Sequence, residues 1–255
     1  MVTQEGWFHT KYMAIRTPKF TIPVSVPPWP QVRALCYGCQ LAGGALAGGA
    51  VAGGALAGPQ AAPSGLPRSL LAVSAELSAC RTALRLFDDL AMLSSSCGYG
   101  LGPKDEDGLV RVLSVLCNVA NQLYYPCEHM AWAADAGIIR ARAQKWWTLS
   151  MGLWASSLLL GILRSLRILG QLRKLKQHKG RTSSPRRQKE VKAQVKAEVL
   201  SILAQVADLS NAIHWLPPGF LWAGRFPPWL VGLLGTVSSL IGIYQASRGG
   251  HSEAA

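Results

Sequence analysis

Apolar residues recur at helical spacing along most of the chain. Between Arg68 and Leu93, the residues Leu70, Val73, Leu77, Cys80, Leu84, Phe87 and Ala91 follow at alternating steps of three and four. That spacing keeps them on one face, so an amphipathic helix is expected over Arg68–Leu93. Leu71, Leu86, Leu90 and Leu93 widen the face. Arg81 and Arg85 sit one turn apart, and Asp88 and Asp89 follow where they can pair with Arg85. Such a helix either packs in a bundle or lies in a membrane interface and wedges one leaflet. Leu109, Val112, Leu116, Val119 and Leu123 predict a second helix. Acidic residues in Lys104–Asp107 suit its start, and Pro126 is expected to end or kink it. Val191, Val195, Val199, Ile202, Val206, Leu209 and Ile213 form a third stripe, broken at Pro217 and Pro218. No strand pattern competes, so the expected class is all-α.

Two segments are apolar all round. Trp147–Leu163 has 17 residues without a charge, and Phe226–Tyr244 has 19. The first covers about 25 Å as a helix, slightly short of a hydrocarbon core. Trp146 and Trp147 stand at one end of it, Arg164 and Arg167 at the other. Trp222, Phe226 and Trp229 flank the start of the second, and Tyr244 its end. Aromatic belts and snorkelling arginines are what a bilayer interface selects, so both segments are expected to span. Gly232, Gly235, Ser238, Ser239 and Gly242 leave room for a neighbouring helix on the second.

Leu41–Gly58 is apolar but repeats every five residues and carries seven glycines. Each glycine costs about 1 kcal/mol in a helix, so a low-complexity linker is expected there. Met1–Pro30 is broken by five prolines and has no long apolar core, so no secretory signal is expected.

Charge sharpens the picture. The net charge of the 255 residues is +13. Residues 164–196 hold twelve basic residues and one acidic one, and so carry nearly all of the excess. Lying between two spans and lacking interleaved aromatics, this stretch reads as a basic helical loop that anchors lipid headgroups rather than nucleic acid. Catalytic and metal sites find little support. Cys36 and Cys39 form a lone pair without a partner pair at zinc spacing. Glu128 and His129 lack the second histidine of a zinc protease. Asp105, Glu106 and Asp107 lack the later ligands of a calcium loop. No enzyme activity and no cofactor or metal are expected.

Four stretches then carry a resemblance. RTALRLFDDLAM (81–92), NQLYYPCEHMAWAADAGII (121–139), KWWTLSMGLWASSLLLGILRSLRIL (145–169) and ADLSNAIHWLPPGFLWAGRFPPWLVGLLGTVSSL (207–240) resemble the peroxisomal membrane protein 11 family, gamma type. Rare aromatic and proline clusters recur in the right order over roughly residues 34–246. Met1–Pro30 and the glycine–alanine repeat depart from the family pattern. The resemblance implies a multi-pass peroxisomal membrane protein that promotes protrusion, elongation and fission of the organelle's membrane. It implies homo-oligomers, hetero-oligomers with other members, and contacts with a fission adaptor and dynamin-like machinery. A membrane-protein import chaperone would recognise the basic cluster beside a span. The family's membrane-remodelling helix maps onto Arg81, Leu84, Arg85, Leu86, Phe87 and Leu90. The alternative reading of function is a pore for small metabolites in the same membrane.

The expected layout has an atypical, disordered segment at 1–33 and a short apolar segment with the repeat at 34–66. An amphipathic helical module follows at 67–145, a membrane region with two spans at 146–246 and a tail at 247–255. The positive-inside rule puts the basic loop in the cytosol. The resemblance implies cytosolic termini, and hence a loop inside the peroxisome.

Overall fold

A computed structural model describes residues 29–53, 65–86, 89–100, 107–179 and 185–252. Among these residues every regular element is helical. In chain order they are α1 (Trp29–Gly53), α2 (Leu66–Arg85), α3 (Asp89–Tyr99), α4 (Gly108–Asp135), α5 (Ala143–Lys179), α6 (Pro185–His214) and α7 (Pro228–Ser252). They form two units. One combines α1 and α2 with α7, and the other holds α4, α5 and α6 up to Ala212. Contacts thus group the first two helices with the last one. Each of the two candidate spans, Ala143–Lys174 and Pro228–Ser247, belongs to a different unit.

In the first unit, α1 packs against both α2 and α7. Backbone-to-backbone contact is possible because glycines meet it. A β-carbon at Gly44 would overlap the backbone of Trp229, and one at Gly232 would overlap Leu41. One at Gly235 would overlap the ring of Tyr37. Gly43 faces Leu70, Leu71 and the carbonyl of Pro67 on α2 instead. The adjacent pair Gly43 and Gly44 thus offers one bare position to each neighbour. This corrects the linker expected at Leu41–Gly58, because helix continues through it to Gly53. Close packing offsets the intrinsic helix cost of glycine. Residues 54–64 and the atypical segment up to residue 28 lie outside the described residues.

The helix expected over Arg68–Leu93 is also corrected. It stops at Arg85, where the Leu86 amide folds back onto the carbonyls of Ala83 and Leu84. A separate helix, α3, starts at Asp89.

In the second unit, Asp107 caps α4. Its carboxylate accepts from the amides of Leu109 at 3.1 Å and Val110 at 3.3 Å. Pro126 neither ends the helix nor stops it short of Asp135. Termination comes at Gly137, whose φ of 72° is left-handed. The amides of Gly137 and Ile138 return to the carbonyls of Ala134 and Ala133, which closes a Schellman turn. The chain then reverses into α5, which packs against α4. α5 is 37 residues long and carries the start of the basic stretch within the helix itself.

Candidate membrane-facing site

The remodelling residues foreseen from sequence divide at the end of α2. Arg81, Leu84, Arg85 and Leu86 are half-buried. The Arg81 guanidinium lies 5.6 Å from the centroid of the Tyr37 ring, and Arg33 lies 5.5 Å from the same ring. Both are cation–π contacts. Arg85 donates to the hydroxyl of Thr82 at 3.4 Å. Phe87 and the side chain of Leu90 lie outside the described residues. The apolar side chains that α2 leaves open sit earlier. Leu66 is 64% exposed and Val73 is 46% exposed, with Cys80 exposed one further step of seven along. Ser74 faces the other way, where Cys36 of α1 donates its thiol to the Ser74 carbonyl.

The anchor residues separate into two kinds. Trp147 and Arg167 each tie an end of the α4–α5 pair. The indole of Trp147 donates to Asp135 at 2.6 Å, and Arg167 is paired with Asp107 at 3.0 Å. Trp146 is half-buried on the first turn of α5. Arg164, expected to snorkel, faces α4. It is only 4% exposed, and its Nε donates to the Ser114 hydroxyl of α4 at 3.0 Å. Trp222 stacks on Phe226 at 6.0 Å, and Phe226 stacks on His214 at 5.4 Å. The Phe226 amide also donates to Nδ1 of His214. His214 is thus held by the turn between α6 and α7, with its ring occupied by structure. Trp229 and Tyr244, on α7, are exposed.

Sequence reasoning missed the interior of the second unit. The stripe Leu109, Val112, Leu116, Val119 and Leu123 faces outward, each residue about half exposed. What α4 buries instead includes Ser114, Asn118 and Glu128. Tyr124 donates to Glu128 at 2.7 Å. The available signal was the polar stripe opposite the leucines, at the same spacing of three and four.

The family model described as Peroxisomal biogenesis factor 11 matches residues 31–247. The chain belongs to the peroxisomal biogenesis factor 11 family. Peroxisomal membrane protein 11C of Homo sapiens is 52% identical over 228 residues, covering 88% of this chain and 90% of that protein. Peroxisomal membrane protein 11C of Mus musculus is 50% identical over 223 residues, covering 86% and 88%. No solved structure matches. For a member of the biogenesis factor 11 family, an all-helical chain with two candidate spans is the architecture observed here. The family match begins within α1 and ends within α7, so both glycine-lined helices of the first unit fall inside it.

Proposed function

We propose that this biogenesis factor resides in the peroxisomal membrane and bends it, driving protrusion and elongation before fission and so setting organelle size and number. The observation that supports this reading is the open apolar edge of α2, with Leu66 at 64% and Val73 at 46% exposure. Transfer of a whole leucine or valine side chain out of water gains about 1.5–3 kcal/mol, and half-exposed ones gain a fraction of it. A shallow insertion of that edge expands one leaflet. Arg81 and Arg85 lie on the same helix, where anionic headgroups contribute about 1 kcal/mol per basic residue. The region foreseen at Arg81–Leu90 supplies the basic flank, and the bulk comes from residues nearer the start of α2. Self-association, and association with other family members, would concentrate the wedges into a tubule. The fission adaptor and dynamin-like machinery would then act on it. Termini in the cytosol put α2 on the leaflet that must expand, and a membrane-protein import chaperone would deliver the chain through the basic end of α5.

Leu66 and Val73 are exposed, so replacing both by Asp leaves packing within the chain intact. Expression of the Leu66→Asp, Val73→Asp chain beside a peroxisomal marker should show normal location and unlengthened organelles. Elongation equal to that of the unaltered chain would sink the wedge.

A further inference from the structure

Two candidate spans do not account for the second unit. We propose that α4 and the second half of α6 are themselves immersed in the bilayer. Together with α5 they would form an inside-out three-helix bundle whose outer leucines and valines touch lipid acyl chains. This goes beyond the elongation reading and does not depend on α2.

The first argument is the inversion of polarity. α4 hides Ser114, Asn118 and Glu128 and leaves Val112, Leu116, Val119 and Leu123 half in the open. α6 does the same. Ser201, Asp208 and Asn211 are buried, while Val199, Leu203 and Val206 are 45–51% exposed. Water penalises both halves of that arrangement. Hydrocarbon reverses the preference, because apolar side chains are at home outside and polar ones must find each other inside. They do find each other. Arg164 bonds Ser114, Tyr124 bonds Glu128, and Ser165 on α5 hydrogen-bonds the carboxylate of Glu198 on α6 beside the Arg164 charge.

The second argument is continuity. α5 holds a candidate span, and its Leu159, Leu163 and Leu166 face outward. α4 is fastened to α5 at several heights. Cys117 donates to the Ser157 carbonyl at 3.4 Å, about one turn along α4 and two along α5 from the Ser114–Arg164 bond. α6 is seated where Gln205 occupies the bare face of Gly161. Helices joined to α5 within its apolar window cannot lie in water while it lies in lipid.

The third argument is length. The polar ties at the two ends of the α4–α5 pair are Asp135–Trp147 and Asp107–Arg167. On α5 the tied residues are twenty positions apart, which is about 30 Å of helix. A bilayer's hydrocarbon core is about 30 Å thick. Neither α4 nor α6 is among the helices apolar enough to count as a span by composition alone, since α4 buries Ser114, Asn118 and Glu128 and α6 begins with a run of charged residues.

The test is photo-crosslinking of the full chain in phosphatidylcholine vesicles. A benzophenone amino acid is placed singly at Val119 and Leu123 on α4, at Leu203 on α6, and at Leu159 on α5 as reference. The expected result is a phospholipid mass added to the chain at all four positions. Lipid adducts at Leu159 alone, with Val119 and Leu203 joined to a second copy of the chain or to nothing, would overturn the proposal. Failure at Leu159 as well would overturn it together with the span in α5, and would still leave the elongation assay on α2 to stand or fall by itself.

Discussion

Arg164 reaches from α5 to the hydroxyl of Ser114 on α4, and both residues are buried. A charge held in this way depends on its partners. Removing one partner of a charged hydrogen bond costs about 1.5–3 kcal/mol when the other stays buried. Ser114→Ala is therefore expected to lower the melting temperature of the detergent-solubilised chain. Arg164→Leu also strips the Glu198 carboxylate of its neighbouring positive charge, so the pair Ser114→Ala, Arg164→Leu is expected to be less stable than Ser114→Ala alone. A thermal melt followed by circular dichroism decides it.

Gly44 and Gly232 mark the backbone contact between α1 and α7. Overpacking a tight interior costs about 1–3 kcal/mol. Gly44→Val and Gly232→Val should each push the two helices apart and expose the joint to protease. Gly242, on the same α7, has nothing within 4 Å of the β-carbon it lacks. Gly242→Ala should be neutral or slightly stabilising, by up to about 1 kcal/mol, since it removes only the entropic cost of glycine in a helix. Equal damage at Gly232 and Gly242 would contradict the contact.

The Asp107–Arg167 pair predicts an acid limb. The hydrogen bond from Arg167 comes first among the causes that hold the Asp107 carboxyl below its ordinary 3.8, and the amides of Val110 and Leu109 add to it. A carboxylate depressed by folding contributes stability that is present above the unfolded value and lost as pH falls through the folded one. The unaltered chain should therefore lose helical stability as pH drops below about 3.8. Asp107→Asn should be less stable at neutral pH and show a flatter acid limb. Identical acid titrations of the two chains would remove the pair from the account.

Truncation separates what α1 does from what precedes it. Deleting residues 1–28 spares α1 and every contact described for it. Deleting residues 1–65 strips α1 from α2 and α7 and bares Gly232 and Gly235. The shorter deletion should behave as the full chain on size exclusion in detergent. The longer one should aggregate or elute as larger species.

Much of this architecture was legible in the sequence, and the failures share a cause. The charge-free runs that became α5 and α7 need no context, because only lipid or a core tolerates them. Asp107 as a helix start followed from acidic residues ahead of an apolar stripe. The break after Arg85 was hidden because the three-and-four spacing runs on to Ala91 with no glycine or proline to interrupt it. In α4 the periodicity marked two faces but not which one pointed inward, since that depends on the solvent. Arg164 looked like an interface residue next to Arg167, yet a step of three residues turns it to the polar side of the bundle. The glycine–alanine repeat was misjudged because propensity scores residues singly, and here the partners Trp229 and Leu70 decide the conformation.

α5 has one more property that follows from its length. Beyond Arg167 it continues for twelve residues to Lys179, about 18 Å. That is roughly twice the distance over which physiological salt lets charges feel one another, about 8 Å. The far end of the helix is therefore electrostatically independent of the Asp107–Arg167 pair in physiological salt, and added salt acts on the two ends separately.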